Sequence, residues 1–90
     1  MNANRTDLLL LVTLASNNAD SKGYGLTITE IMENITATGC TKTRMTVYRR
    51  MKRLLADGYV VKGILSDHAD TFCISGKGKE LLEVAERKVQ

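Results

Sequence analysis

Apolar residues recur along this chain with a period that changes from stretch to stretch, and each change marks an element. Between Asn4 and Asn18, the run Leu8, Leu9, Leu10, Leu11, Val12, Leu14 and Ala15 leaves only Thr13 and Ser16 polar in the middle turns. This predicts a first helix with Thr6 or Asp7 as its N-cap. Its apolar surface is wider than the stripe of about 100° that a surface helix buries against its own core. Either a second subunit covers the excess, or the helix is central and wrapped by the other elements. Asn17 to Gly25 is a polar loop. Beyond it, Thr27 and Glu30 are spaced as a capping box, with Thr29 as an alternative cap. Ile28, Ile31, Met32 and Ile35 have helical spacing and predict a short second helix to about Ile35, with Leu26 as a brief strand ahead of it.

Thr36-Ala37-Thr38-Gly39-Cys40 is a turn of small residues, and a longer helix follows over Thr41 to Tyr59. Its apolar stripe is Val47, Tyr48, Met51, Leu54 and Leu55 at spacings of three and four. Lys42, Arg49, Arg50, Lys52 and Arg53 point away from that stripe, with Met45 and Thr46 among them and Arg44 near its edge. No Asp or Glu stands between Glu33 and Asp57, so nothing along the helix neutralises its cationic face. Asp57-Gly58 closes it, because glycine accepts the left-handed conformation of a helix terminus. Short helix, glycine turn and longer basic helix make a helix-turn-helix arrangement, and a helix with one core face and one cationic face fits nucleic acid.

After Gly58 the period shortens. Tyr59 to Leu65 and Thr71 to Ile74 are β-prone and flank the turn Ser66-Asp67-His68-Ala69-Asp70, which predicts a hairpin. Ser75 then caps a last helix with an apolar stripe of Leu81, Leu82, Val84, Ala85 and Val89, while Lys79, Glu80, Glu83, Glu86 and Arg87 take the wet side. This stripe too exceeds what one small core uses, and it pairs naturally with the first helix of a partner chain. A homodimer contact is therefore expected from Leu8, Leu9, Leu11 and Val12 of the first helix and Leu82, Ala85 and Val89 of the last.

Composition narrows the function. Ninety residues, 43% hydrophobic and without proline, suit one small domain over residues 1–90. Net charge is only +3, yet Lys42, Arg44, Arg49, Arg50, Lys52 and Arg53 supply six of the thirteen Lys and Arg, a positioned cationic face rather than a diffuse coat. The longest apolar run, Leu8 to Val12, is far below the ~20 residues of a membrane span, and no signal-type cleavage site follows it. A cytoplasmic protein is expected. Cys40 and Cys73 stand apart, with no CxxC, and read as two reduced, half-buried thiols. The alternatives are a site built with His68 or an interchain disulfide. Neither a metal nor a cofactor is expected. Catalysis has little support: there is one histidine, no HExxH and no phosphate-binding GxxxxGK[ST], and Gly76-Lys77-Gly78-Lys79 reads as the entry to the last helix.

The order of elements resembles the winged helix-turn-helix domain of bacterial and archaeal transcription regulators, especially the MarR-like and PadR-like groups. Leu26-Thr27-Ile28-Thr29-Glu30-Ile31 is similar to the start of their second helix. The stretch Thr46 to Val60 is similar to their recognition helix and its exit into the wing, and Ile74 to Leu82 to the passage out of the wing. This implies an α+β, mostly helical fold: a three-helix core, a two-stranded β-wing and a C-terminal helix. It also implies a dimeric regulator, a repressor of a prokaryotic cell or of its virus or plasmid, that binds double-stranded DNA with the basic helix in the major groove. Lys42, Thr43, Thr46 and Arg49 are then the candidates to reach base edges, with Arg44, Arg50 and Arg53 completing the DNA-binding set and Arg50 and Arg53 nearer the phosphates. Small-molecule sensing is not implied. Wings in these groups are usually basic, whereas here Asp67 and Asp70 flank His68. A winged-helix protein-interaction module, or a DNA-binding factor in replication or plasmid control, is the alternative.

Overall fold

The computed structural model describes residues 4–89, with side-chain exposure for 4–87. The order is α1 (Arg5–Ser16), a 3-10 turn (Lys22–Tyr24), β1 (Leu26–Thr27), α2 (Ile28–Ala37), α3 (Arg44–Ala56), β2 (Val60–Lys62), β3 (Thr71–Ile74) and α4 (Gly76–Val89). The fold is α+β and mostly helical, with helices packed on one small antiparallel sheet. Leu26 does form a strand: β1 pairs with β3 through Leu26–Phe72 and Thr27–Thr71, and β2 pairs with β3 from Val60–Ile74 to Lys62–Phe72. The sheet order is therefore β1-β3-β2, three strands rather than a two-stranded wing alone.

Local chemistry sets the helix ends. The N-cap of α1 is Asn4, not Thr6 or Asp7: its side chain accepts from the Asp7 amide at 2.8 Å, and Asp7 accepts in return from the Asn4 amide at 3.3 Å. Thr27 and Glu30 form the capping box of α2, and Thr43 caps α3 by accepting from the Thr46 amide. Gly39 (φ 90°) follows α2 and Gly58 (φ 82°) follows α3 in the left-handed region. There the Tyr59 amide reaches back to the Leu54 carbonyl at 2.9 Å, which turns the chain from α3 into the sheet.

The core is shared by all layers: Leu10, Leu11 and Leu14 from α1, Ile28, Ile31 and Ile35 from α2, Val47, Met51 and Leu54 from α3, Val60, Phe72, Cys73 and Ile74 from the sheet, and Leu82 from α4. Much of the excess apolar surface of α1 goes here. Thr13, polar in the pattern, is buried as well because its hydroxyl donates to the Leu9 carbonyl at 2.8 Å. Among the described residues no helix is long and apolar enough to cross a membrane.

Candidate nucleic-acid interface

Helix α3 turns Val47, Met51 and Leu54 into the core, so the opposite side presents Met45, Arg49 and Lys52, flanked by Tyr48 and Arg53. Lys42 and Thr43 extend this face at its N-terminal end, both exposed. Arg49, Lys52 and Lys42 have no ion-pair partner among the described residues. Arg53 has only a loose one, to Asp57 at 3.4 Å in the last turn. Thr46 is half-buried, and its hydroxyl accepts from that of Thr43 at 3.0 Å, so it belongs to the cap as much as to the face. Arg44 leans across to α2, donating to the Thr29 hydroxyl at 3.0 Å, and has no carboxylate partner among the described residues.

Arg50 departs from the expectation. Its guanidinium turns inward and grips Asp7 of α1, with Nε donating to Oδ1 at 2.7 Å and Nη2 to Oδ2. Asp7 is 0% exposed and the Arg50 side chain 30%. These hydrogen bonds hold the Arg50 pKa above its usual value. The expectation that Arg50 points away from the core is therefore corrected. Arg50 lies three residues after Val47 and four before Leu54, so helical geometry places it beside the buried stripe rather than opposite to it.

Tyr48 departs in the other direction. Assigned to the apolar stripe by its spacing, it is 41% exposed, with the Lys52 ammonium 5.9 Å from its ring centroid. Together with Met45, which is 57% exposed, it walls a cleft of about 590 Å³ between the start of α2, α3 and the wing. Thr29, Arg44, Asp70 and Phe72 complete that cleft. Neither residue was picked out as a contact. The signal was present for Met45, which lies two residues before Val47 and so nearly opposite to it, but for Tyr48, at the stripe's margin, spacing does not decide.

The wing tip is a two-residue turn between Ser66 and Ala69, which exchange hydrogen bonds of 2.9 and 2.8 Å. Asp67 (φ 48°) and His68 (φ 72°) are both left-handed there and exposed. Asp70 faces Lys62 at 3.5 Å, which offsets one of the two acids. Between the start of α1 and the turn that leads into α3, Arg5, Thr6, Thr41 and Lys42 line a second hollow of about 390 Å³ with Leu9 and Cys40. Both cysteines are free, and no group of three or more His, Cys, Asp or Glu side chains able to hold a metal occurs among the described residues.

The expected dimer residues separate into two sets. Leu11 is 0% exposed and Leu82 8%, so in the single chain both side chains are spent on the core rather than on the surface, Leu11 because α1 lies at the centre of the fold and Leu82 because α4 packs onto that core. Leu8, Leu9 and Ala85 are half-buried, while Val12 and Val84 are each 43% exposed. The Val89 side chain lies outside the described residues.

No protein-family profile matches the sequence, and no curated protein matches it. Among solved structures, the chain is similar to the ferric uptake regulator from Francisella tularensis with iron, with a TM-score of 0.66 at 18% identity. The match covers 82% of this chain and 53% of that one, so this chain spans about half the length of the protein it resembles. At this identity the likeness is one of fold. It supports a winged helix and does not single out the MarR-like or PadR-like groups to which the sequence motifs pointed.

Proposed function

We propose that this chain is the DNA-binding unit of a transcription regulator, a repressor that lays α3 in the major groove of double-stranded DNA. One observation carries the reading. Among the described residues, Arg49 and Lys52 on the outward face of α3, and Lys42 just ahead of it, have no carboxylate partner, while Arg50, close to the core, is neutralised by Asp7. Cations left unpaired on one helix face are the electrostatic requirement for a polyanion. Arg49 is the residue to reach guanine O6 and N7, Lys42, Thr43 and Thr46 sit at the leading end of the helix within reach of base edges, and Arg53 takes phosphates.

A homodimer is supported by the exposed Val12 of α1 and Val84 of α4, with the half-buried Leu8, Ala15, Leu81 and Ala85 beside them on the same helices. Two copies would cover half-sites about one helical turn apart. Selection from random duplexes followed by titration tests the reading. Arg49→Ala should cost about 1–3 kcal/mol at the selected site and relax one base position. Arg53→Ala should weaken selected and scrambled duplexes alike and lower the salt slope by about one unit. Sedimentation should give a dimer that Val12→Glu with Val84→Glu returns to a monomer.

A second reading has its own support. Tyr24, Ile64 and Leu65 are strongly exposed around the 3-10 turn and the wing, and the Ile64 amide donates to the Lys22 carbonyl, which brings the two segments side by side. An apolar, partly acidic wing suits a protein partner better than a phosphate backbone, and unchanged DNA binding by both arginine variants would put the interaction module first.

A further inference from the structure

We infer that the Asp7–Arg50 pair is a positioning device for recognition: it fixes the roll of α3 and so makes the start of α1 part of DNA specificity without touching DNA. The inference rests on the DNA-binding reading of α3. Asp7 is fully buried, and a buried carboxylate is retained against a desolvation penalty that an apolar residue of similar volume does not carry. What the ion pair adds is direction. The guanidinium presents a rigid fork, and here two of its N–H groups meet both oxygens of one carboxylate, so distance and rotation are fixed together. Asp7 is itself locked, because the same carboxylate accepts from the Asn4 amide and its own amide donates to Asn4. The α3 side of the clamp is the residue next to Arg49. On a helix of about 5–6 Å outer radius, a roll of about 10° carries a neighbouring side chain through about 1 Å, enough to spoil a bidentate base contact. It leaves a diffuse attraction to phosphate almost unchanged.

Three variants test this: Asp7→Asn, Arg50→Gln and the apolar double Asp7→Leu with Arg50→Met. Each is measured for thermal unfolding and for affinity to the selected and a scrambled duplex at several salt concentrations. The expected result is a tenfold or greater loss at the selected site for each single variant, with scrambled binding within twofold and the salt slope unchanged for Arg50→Gln, and scrambled binding no weaker than wild type for Asp7→Asn, which frees the Arg50 charge. The two single effects should not add. The apolar double should regain much of the melting temperature but not the preference for the selected site, a combination that a merely structural pair would not give. It also carries the test if a single variant fails to fold. Wild-type preference in a double of restored stability overturns the inference. So does a salt slope that falls by about one unit in Arg50→Gln but not in Asp7→Asn, which would make Arg50 a direct phosphate contact. A wild-type chain that binds no duplex at all overturns the DNA reading first and this inference with it.

Discussion

Two glycines at the start of α4 should respond in opposite ways to the same substitution. Gly76 and Gly78 lie two residues apart in one helix turn, and alanine raises helix propensity by up to about 1 kcal/mol at an unstrained site. At Gly76 an added Cβ meets nothing within 4 Å. At Gly78 it would stand 2.3 Å from the Tyr59 carbonyl oxygen and 2.8 Å from Cγ1 of Ile74. That carbonyl cannot step aside cheaply, because it accepts from the Ser75 amide at 3.1 Å and follows the turn out of α3. The helix must then lift from the sheet, and overpacking of this kind costs about 1–3 kcal/mol, here at the upper end. Gly76→Ala, at the first helical position, should therefore gain at most about 0.5 kcal/mol and Gly78→Ala lose about 2 kcal/mol net, a separation of about 2.5 kcal/mol. In a domain of this size that is more than about 10 °C in Tm, readable by urea titration and thermal melting. Two variants within about 0.5 kcal/mol of each other would refute the close approach of α4 to Tyr59.

Thr43→Ala should cost about 1 kcal/mol in urea unfolding, because it removes the side chain that accepts from the Thr46 amide at the start of α3. His68→Gly should stabilise the wing by about 0.5 kcal/mol, since a left-handed L-residue costs about 1–2 kcal/mol and glycine returns part of that as chain entropy; thermal melts check it, and a lowered Tm would contradict the two-residue turn. Native alkylation should modify half-exposed Cys40 at least about tenfold faster than Cys73, whose burial pushes its thiol pKa above the ordinary 9.0 and keeps the unreactive form. The same shift means that Cys73 favours the fold fully below pH 9.0 and that this contribution fades as the pH rises further, which chemical unfolding of wild type and Cys73→Ala at pH 8 and pH 10 would reveal.

Most of the fold was legible because the signals for it are local. A capping box needs only Thr27 and Glu30 three apart, a helix stop needs Gly58, and a hairpin needs two β-prone runs around a polar turn. Even the brief strand at Leu26 could be read from its place ahead of the cap. What failed was anything that depends on where a helix sits. The apolar girdle of α1 has two explanations that its sequence cannot separate, a partner or a central position. The buried Leu10, Leu11 and Leu14 show that the central position accounts for much of it. The Asn4 cap was missed for a related reason. Asp7 was a plausible cap by residue type, but it serves at the third helical position, where the same carboxylate can close the box and meet α3.

The site was harder to read than the fold because charge alone does not tell which cations face out. Arg49, Arg50, Lys52 and Arg53 look equivalent along the chain, and a wheel drawn on Val47 and Leu54 sets Arg50 against the core, where an arginine is costly unless something meets it. The partner is Asp7, 43 residues away, and no local pattern announces it. A sequence-based count of outward cations on α3 is therefore too high by one and misses one ion pair that joins α3 to α1. The same arithmetic puts Tyr48 at the margin of the stripe, where its ring can lie inward or line the cleft. The fold decides: α3 enters between α2 and the wing with a gap beside Thr29 and Asp70, and the ring stays at that gap. The face that results is narrower and more apolar than four cations within five residues implied. Arg49 and Lys52 stand beside Met45 and Tyr48, the mixture on which the proposed reading of base edges rests.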